Sequence, residues 1–224
     1  LALLMAIASG LVGSFALMRK MTLAGDSISH IALPGLALAI LFSANPTIGA
    51  GVSLIIGALI IWKVEKLSRL NTEAIIGVLF VLSLAIGGLL IKDDHELIEL
   101  LFGSGGETTF YDFAVGSLMS VLIILFVIKK RYALTLSLVS KDLAKTVGIN
   151  NDRLQLSFLI IFSLTVLLGL KFLGVLLMGS LIIIPAATAK NIAVNLTTML
   201  TAAASVAAIS VFIGMISEQI FGFP

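Results

Sequence analysis

No cysteine occurs in the chain of 224 residues, which excludes a disulfide framework, a thiolate metal site and a cysteine nucleophile. Charge is scarce as well: Asp, Glu, Lys and Arg make up 12% of residues, about half the share of an ordinary soluble domain. With 4 prolines and 2 histidines, helix breakers and imidazole ligands are few enough to be weighed one by one. What fills the chain is apolar, at 59% hydrophobic residues and a mean hydropathy of +1.20. One globule of this size cannot hide that much apolar surface from water, so a soluble enzyme is excluded, and so is intrinsic disorder. The composition predicts an all-α, polytopic membrane bundle, and the length accommodates about eight spans of about 20 residues. A formal net charge of +2 gives no reason to expect a nucleic-acid partner, whereas membrane lipid is an obligatory one.

Apolar runs separated by charged or turn residues place the eight spans near 2–18, 25–43, 47–63, 74–91, 113–129, 154–170, 172–189 and 196–216. The sixth and seventh are separated only by a turn around Gly169 to Phe172. With the N-terminus outside and every helix crossing, the inside loops hold Arg19, Lys20, Lys63, Lys66, Arg69, Lys129, Lys130, Arg131, Lys141, Lys145, Arg153 and Lys190. Only Lys92 and Lys171, of 14 basic residues, remain outside. This asymmetry is the positive-inside pattern of a multi-pass protein of the bacterial cytoplasmic membrane. Small residues at four-residue spacing, as in Ala6/Gly10/Ser14 and Gly49/Ser53/Gly57, predict close helix–helix packing.

Catalytic patterns are missing. No Gly-x-x-x-x-Gly-Lys-Ser/Thr occurs, so this chain has no phosphate-cradling loop of its own for ATP, and no His-Glu-x-x-His zinc motif is present. Tyr111-Asp112 and Gly25-Asp26 stand in the reverse of the order that intramembrane aspartyl proteases need.

The informative stretch is Gly25-Asp26-Ser27-Ile28-Ser29-His30-Ile31-Ala32-Leu33-Pro34-Gly35. Four residues apart, Asp26 and His30 share one helix face. An oxygen and a nitrogen donor so placed can ligate one divalent ion, and zinc, manganese and iron(II) all accept such a set. Pro34 has no N–H to give the carbonyl of His30, so the helix breaks beside the pair. Irregular backbone at membrane depth is tolerated where protein buries it or where it lines a wet cavity. An Asp at the centre of a span costs about 3 kcal/mol on insertion scales, which makes it a functional candidate by default. The same spacing also fits an N-cap role for Asp26, with His30 as a packed, hydrogen-bonded residue. Two ligands, moreover, do not complete a zinc site. His95 lies in an acidic outside loop with Asp93, Asp94, Glu96 and Glu99, which reads as a solvated face.

The longest inside loop runs from 129 to 152, and within it Ser140 to Ile149 predicts a short amphipathic helix stopped by Gly148. Several segments then share one resemblance. They are Gly13-Ser14-Phe15 with Arg19-Lys20-Met21, the Gly25–Gly35 stretch, Ile75-Ile76-Gly77, Leu101-Phe102-Gly103, Ser140-Lys141-Asp142-Leu143-Ala144 through Gly148, and Lys171-Phe172-Leu173-Gly174 leading into Ile182-Ile183-Ile184-Pro185-Ala186-Ala187-Thr188-Ala189. In this order they resemble the permease subunit of the ABC-3 family of metal-ion ABC importers, most closely its zinc-uptake members. The resemblance implies a single permease domain over 1–224 with a vitamin B12-importer-like bundle. Family members usually extend further at both ends, so it also implies a core segment of a longer permease.

The function it implies is import of a divalent transition metal, zinc or manganese with a lean toward zinc, with no permanently bound cofactor. The permease would work as a homodimer or paired subunits, with two cytoplasmic ATP-binding subunits and one extracytoplasmic metal-binding protein. Hydrolysis would belong to the ATP-binding subunits and not to this chain. Asp26 and His30 would be the transient metal ligands. Ser140, Asp142, Leu143, Ala144 and Gly148 would belong to the coupling helix that docks on the ATPase. The Ser-Gly-Gly-Glu-Thr-Thr of 104–109 departs from the apolar or acidic residues expected after Leu101-Phe102-Gly103. An ion-coupled secondary metal transporter acting without an ATPase is the alternative, since a broken helix suits either mechanism. Metal binding requires a neutral His30 and an ionised Asp26. Affinity is therefore expected to fall as pH drops below about 6, which metal titrations on either side of that value would check.

Overall fold

A computed structural model of the chain describes residues 1–21, 24–68, 70–90 and 110–221. Among the described residues all regular structure is helical: α1 (Ala2–Met18), α2 (Ala24–Ile31), α3 (Leu33–Leu41), α4 (Pro46–Leu67), α5 (Thr72–Leu90), α6 (Phe110–Val139), α7 (Lys141–Thr146), α8 (Asn151–Ile192) and α9 (Leu196–Phe221). The His95 cluster and the Leu101-Phe102-Gly103 motif, with the 104–109 stretch after it, lie outside the described residues.

Lipid tails are as apolar as leucine, so helices in a membrane hold together by close packing more than by hydrophobic burial. The glycines show how this is met. α1 is the axis of the bundle, buried from Met5 to Ala16 except at Ile7. A methyl group on Gly10 would stand 2.6 Å from the Ala203 carbonyl oxygen of α9, and one on Gly13 would run into the carbonyl of Ile182 on α8. Gly35 on α3 and Gly49 on α4 meet in the same way, each occupying the space a side chain on the other would need. Around this axis Phe15, Phe158, Phe162, Leu54, Ile76 and Ile123 are fully buried. Large apolar side chains such as Ile56, Val78, Leu122 and Phe212 are half or more exposed on the outward faces of α4, α5, α6 and α9, as lipid contact requires.

The span count differs from the expected eight. Among the described residues six segments are long and apolar enough to cross a membrane: Ala24–Leu41, Pro46–Leu67, Thr72–Leu90, Phe110–Val139, Asn151–Gly174 and Leu196–Ser217. The first and seventh expected spans are shorter apolar helices, Ala2–Met18 and Leu177–Ile192. At 1.5 Å per residue, the 17 residues of α1 rise about 26 Å, short of a hydrocarbon core of about 30 Å. The turn expected around Gly169 to Phe172 falls instead at Gly174, the one non-helical residue within α8 (φ 78°, ψ 170°). Gly169 has a different use: Met178, returning after the reversal, fills the place of its missing side chain. Lys171 pairs with Asp112, tying α8 just before this point to the first turn of α6.

The loop expected from 129 is mostly helix, because α6 continues to Val139 with Leu134 fully buried. Lys129 and Lys130 therefore sit exposed on a helix that outruns the bilayer. α7 forms where the amphipathic helix was expected. Its Ser140 side chain caps the Leu143 N–H at 3.2 Å, and Gly148 follows at φ 80°. At the same end of the bundle the Trp62 Nε1–H donates to the Asp152 carbonyl at 3.0 Å and Lys66 pairs with the Asp152 carboxylate at 2.6 Å, which fastens the end of α4 to the start of α8.

The Gly35–Gly49 contact has a direct test. Gly35→Ala is expected to cost about 1–3 kcal/mol by overpacking and to lower the unfolding temperature in detergent. Gly88→Ala, with nothing within 4 Å of the added carbon, should not lower it.

Candidate functional site

The second span is broken where the missing N–H of Pro34 predicts: α2 ends at Ile31, Ala32 turns, and α3 begins with Pro34 in its first turn. The backbone groups freed at the break find partners. Ala32 N–H donates to the Ser29 carbonyl at 3.2 Å, and Leu36 N–H to the Ala32 carbonyl at 3.0 Å. The Ile31 carbonyl accepts from the Ser53 hydroxyl of α4 at 2.6 Å. Ser29 hydrogen-bonds back to the Asp26 carbonyl within α2. A helix of eight residues is thus held where it breaks, and most of it (Ala24, Gly25, Ser27, Ile28, Ser29, Ile31) is buried against α8, α5 and α4.

Asp26 and His30 are the two residues of α2 that are not buried. The His30 side chain is 13% exposed and that of Asp26 56%, with Nε2 and Oδ1 3.8 Å apart. That is longer than a hydrogen bond. A tetrahedral ion with bonds of about 2.0–2.2 Å holds its ligands about 3.3 Å apart, so a small side-chain rotation brings both onto one ion. The imidazole is fixed edge-on against Phe80 of α5, with ring centres 5.2 Å apart, and its Nδ1 is buried without a hydrogen-bond partner. Nε2 is therefore the nitrogen on offer. On the other side, α8 comes close enough that a methyl on Gly179 would lie 3.0 Å from the Asp26 Cα. Among the described residues no three His, Cys, Asp or Glu side chains converge, so the described part of the chain brings these two donors together and no third of that kind.

The other expected set lies apart from this pair. Ser140, Asp142, Leu143, Ala144 and Gly148 belong to α7 and its caps, which pack on α6 and α8. Ala144 is fully buried as the anchor of α7, while Leu143 and Val147 are 55% and 71% exposed. Of the elements described, α8 touches both α2 and α7. Ser53, Phe80 and Gly179 escape a reading of the sequence as site residues. Ser53 is visible only as a member of a small-residue packing stripe.

The family model of the ABC 3 transport family matches residues 1–224. The chain belongs to this family. Among ABC 3 relatives, the manganese transport system membrane protein MntC of Listeria monocytogenes is 31% identical over 96% of this chain and 78% of its own length. The high-affinity zinc uptake system membrane protein ZnuB of Haemophilus influenzae is likewise 31% identical, over 94% of this chain and 82% of its own. The structure of PsaBC from Streptococcus pneumoniae in complex with Fab superposes with a TM-score of 0.82 at 28% identity, covering 99% of this chain and 81% of that one. The lean toward zinc is not sustained, because relatives with manganese names are as similar as those with zinc names. The bundle is that of a multi-pass ABC 3 protein of the cytoplasmic membrane.

Ser53 gives a prediction specific to this ABC 3 site. Ser53→Ala leaves the Ile31 carbonyl without its side-chain donor and is expected to cost about 1–2 kcal/mol. Thermal unfolding in detergent and a parallel loss of metal affinity would show it.

Proposed function

We propose that the chain is the permease subunit of an ABC importer for Mn²⁺ or Zn²⁺, in which Asp26 and His30 hold the ion briefly as it crosses. The observation that carries this reading is the pair itself: a carboxylate and an imidazole nitrogen 3.8 Å apart, beside a helix break, in a chain of the ABC 3 family. The ionised carboxylate supplies charge and the neutral imidazole a directional nitrogen. With two donors converging among the described residues, the ion is held loosely enough to leave, as a transported ion must be.

The exposure of Asp26 supports a homodimer. A carboxylate facing lipid costs about 3 kcal/mol on insertion scales, so protein or a wet passage must cover it. A second copy facing the first with the same pair brings four donors to one ion, the number zinc usually takes. Leu143 and Val147, exposed on the short helix α7, suit a groove on a cytoplasmic ATP-binding subunit, and two such subunits would serve a dimer. The chain has no phosphate-binding loop, so hydrolysis belongs to those partners. Delivery from outside falls to an extracytoplasmic metal-binding protein.

Two variants test the passage and one the docking. Asp26→Ala and His30→Ala should each lower metal uptake by about tenfold or more, since loss even of an outer-shell partner costs about 10–100-fold. Wild-type uptake in both removes the site. Leu143→Asp should leave the permease folded but lose co-purification with the ATP-binding subunit.

A further inference from the structure

Arg19 belongs by sequence to a basic pair at the inner end of α1, yet its side chain turns inward. Lys20 adopts a left-handed φ of 59°, while Lys20 N–H and Met21 N–H return to the carbonyls of Leu17 and Ala16 at 3.0 and 2.9 Å. This pair of bonds ends a helix by reversing the chain. The reversal sets the Arg19 guanidinium 4.5 Å from the ring centre of Phe158 on α8, a fully buried residue. Such a stack is attractive in its own right and more so when desolvated. Burial lowers the Arg19 pKa to about 10, against the opposing pull of Glu65, so the group is still a cation at neutral pH. Its Nε has no hydrogen-bond partner among the described residues.

Beside the guanidinium lies a cavity of about 190 Å³ where the ends of α1, α4, α5, α6, α7 and α8 meet, lined among others by Arg19, Glu65, Thr72, Ser137, Lys141 and Asn151. Polar groups share its lining with Met21, Leu138 and Leu159, and it is large enough for several waters. Two of its walls are tied to the functional elements. Asn151 donates from Nδ2 to the Lys141 carbonyl of α7 at 2.8 Å, which leaves its Oδ1 buried with no partner. Phe158 stands seven residues further along α8, two turns on and on the same face. Arg19, seated on Phe158, precedes Asp26 by seven residues in the sequence. Asn151 and Phe158 thus join α7 and Arg19 to the same stretch of α8, and the Met21 carbonyl, two residues after Arg19, accepts from the Ala24 N–H of α2 at 3.2 Å. Glu65, held by the Thr72 hydroxyl at 2.7 Å, offers Arg19 a second seat on the same cavity.

We propose that Arg19 is a positioning residue for transport, linking the docking helix α7 to the metal helix α2 by moving between its seat on Phe158 and the carboxylate of Glu65. This rests on the permease reading above. The cavity gives the side chain room to travel, and water bridges whichever of the leftover polar atoms the guanidinium is not using.

The test uses the complete transporter, permease with its ATP-binding subunits and binding protein, in liposomes, with Mn²⁺ uptake and ATP hydrolysis measured on the same vesicles. Arg19→Met is expected to keep ATP hydrolysis but lower the ions moved per ATP by about five- to a hundredfold, the usual span of coupling between sites. Arg19→Lys, which keeps the charge and loses the planar stack, should fall between. A wild-type ratio in Arg19→Met overturns the proposal. Should that variant fail to reach the membrane, a wild-type ratio in both Arg19→Lys and Phe158→Leu overturns it equally. Asp26→Ala in the same vesicles separates the two claims. Normal uptake there sinks the metal site, whereas lost uptake there with a normal ratio in Arg19→Met sinks the Arg19 link alone.

Discussion

A carboxylate half exposed at the edge of its own bundle, within a segment that spans a membrane, sets the terms for the rest of this structure. Asp26 cannot be left to acyl chains, and the helix that carries it is too short to stand alone. The surrounding architecture answers both demands. The eight residues of α2 are pinned by a hydroxyl from α4, a phenyl ring from α5 and a glycine-smooth face of α8. Small residues at those approaches are what let three helices close on so short a piece of chain.

The same economy appears along α1. Its glycines bring it against two neighbours at backbone distance, and van der Waals contact at that range takes the place of the hydrophobic drive that water would provide. Among the described residues the ion pairs between helices are kept to the ends. Lys171 with Asp112 secures one end, and Asp152 with Lys66 and Trp62 the other. Between those ends the bundle relies on shape, with single serine hydroxyls joining α4 to the Ile31 carbonyl and to α8.

Much of this was legible in the residues, and the reasons for the misses are physical. The break at Pro34 is local, since a missing N–H acts on the turn before it, and the Asp26/His30 pairing follows from helical spacing alone. Capping by Ser140 and the stop at Gly148 are equally local. Ser53 was not legible as a support for the site because its acceptor lies 22 positions earlier in the chain. Gly169 and Gly174 look alike in a sequence; packing by Met178 decides that the first is a contact and the second the reversal. Basic residues at 129–131 mark where the membrane ends but not where the helix does, so α6 ran ten residues further than its charges suggested. The inward turn of Arg19 depends on a partner ring on α8 and has no local signature.

Trp62 is the chain's only tryptophan, and it sits where α4 meets α8, with its indole bonded to the Asp152 carbonyl and the Lys66 ammonium 5.4 Å from its ring. The ultraviolet emission of the protein therefore comes mainly from one address. Any rearrangement that parts those two helices alters the field and hydration around a single fluorophore, so the molecule carries an intrinsic optical probe where α4 meets α8 without chemical labelling.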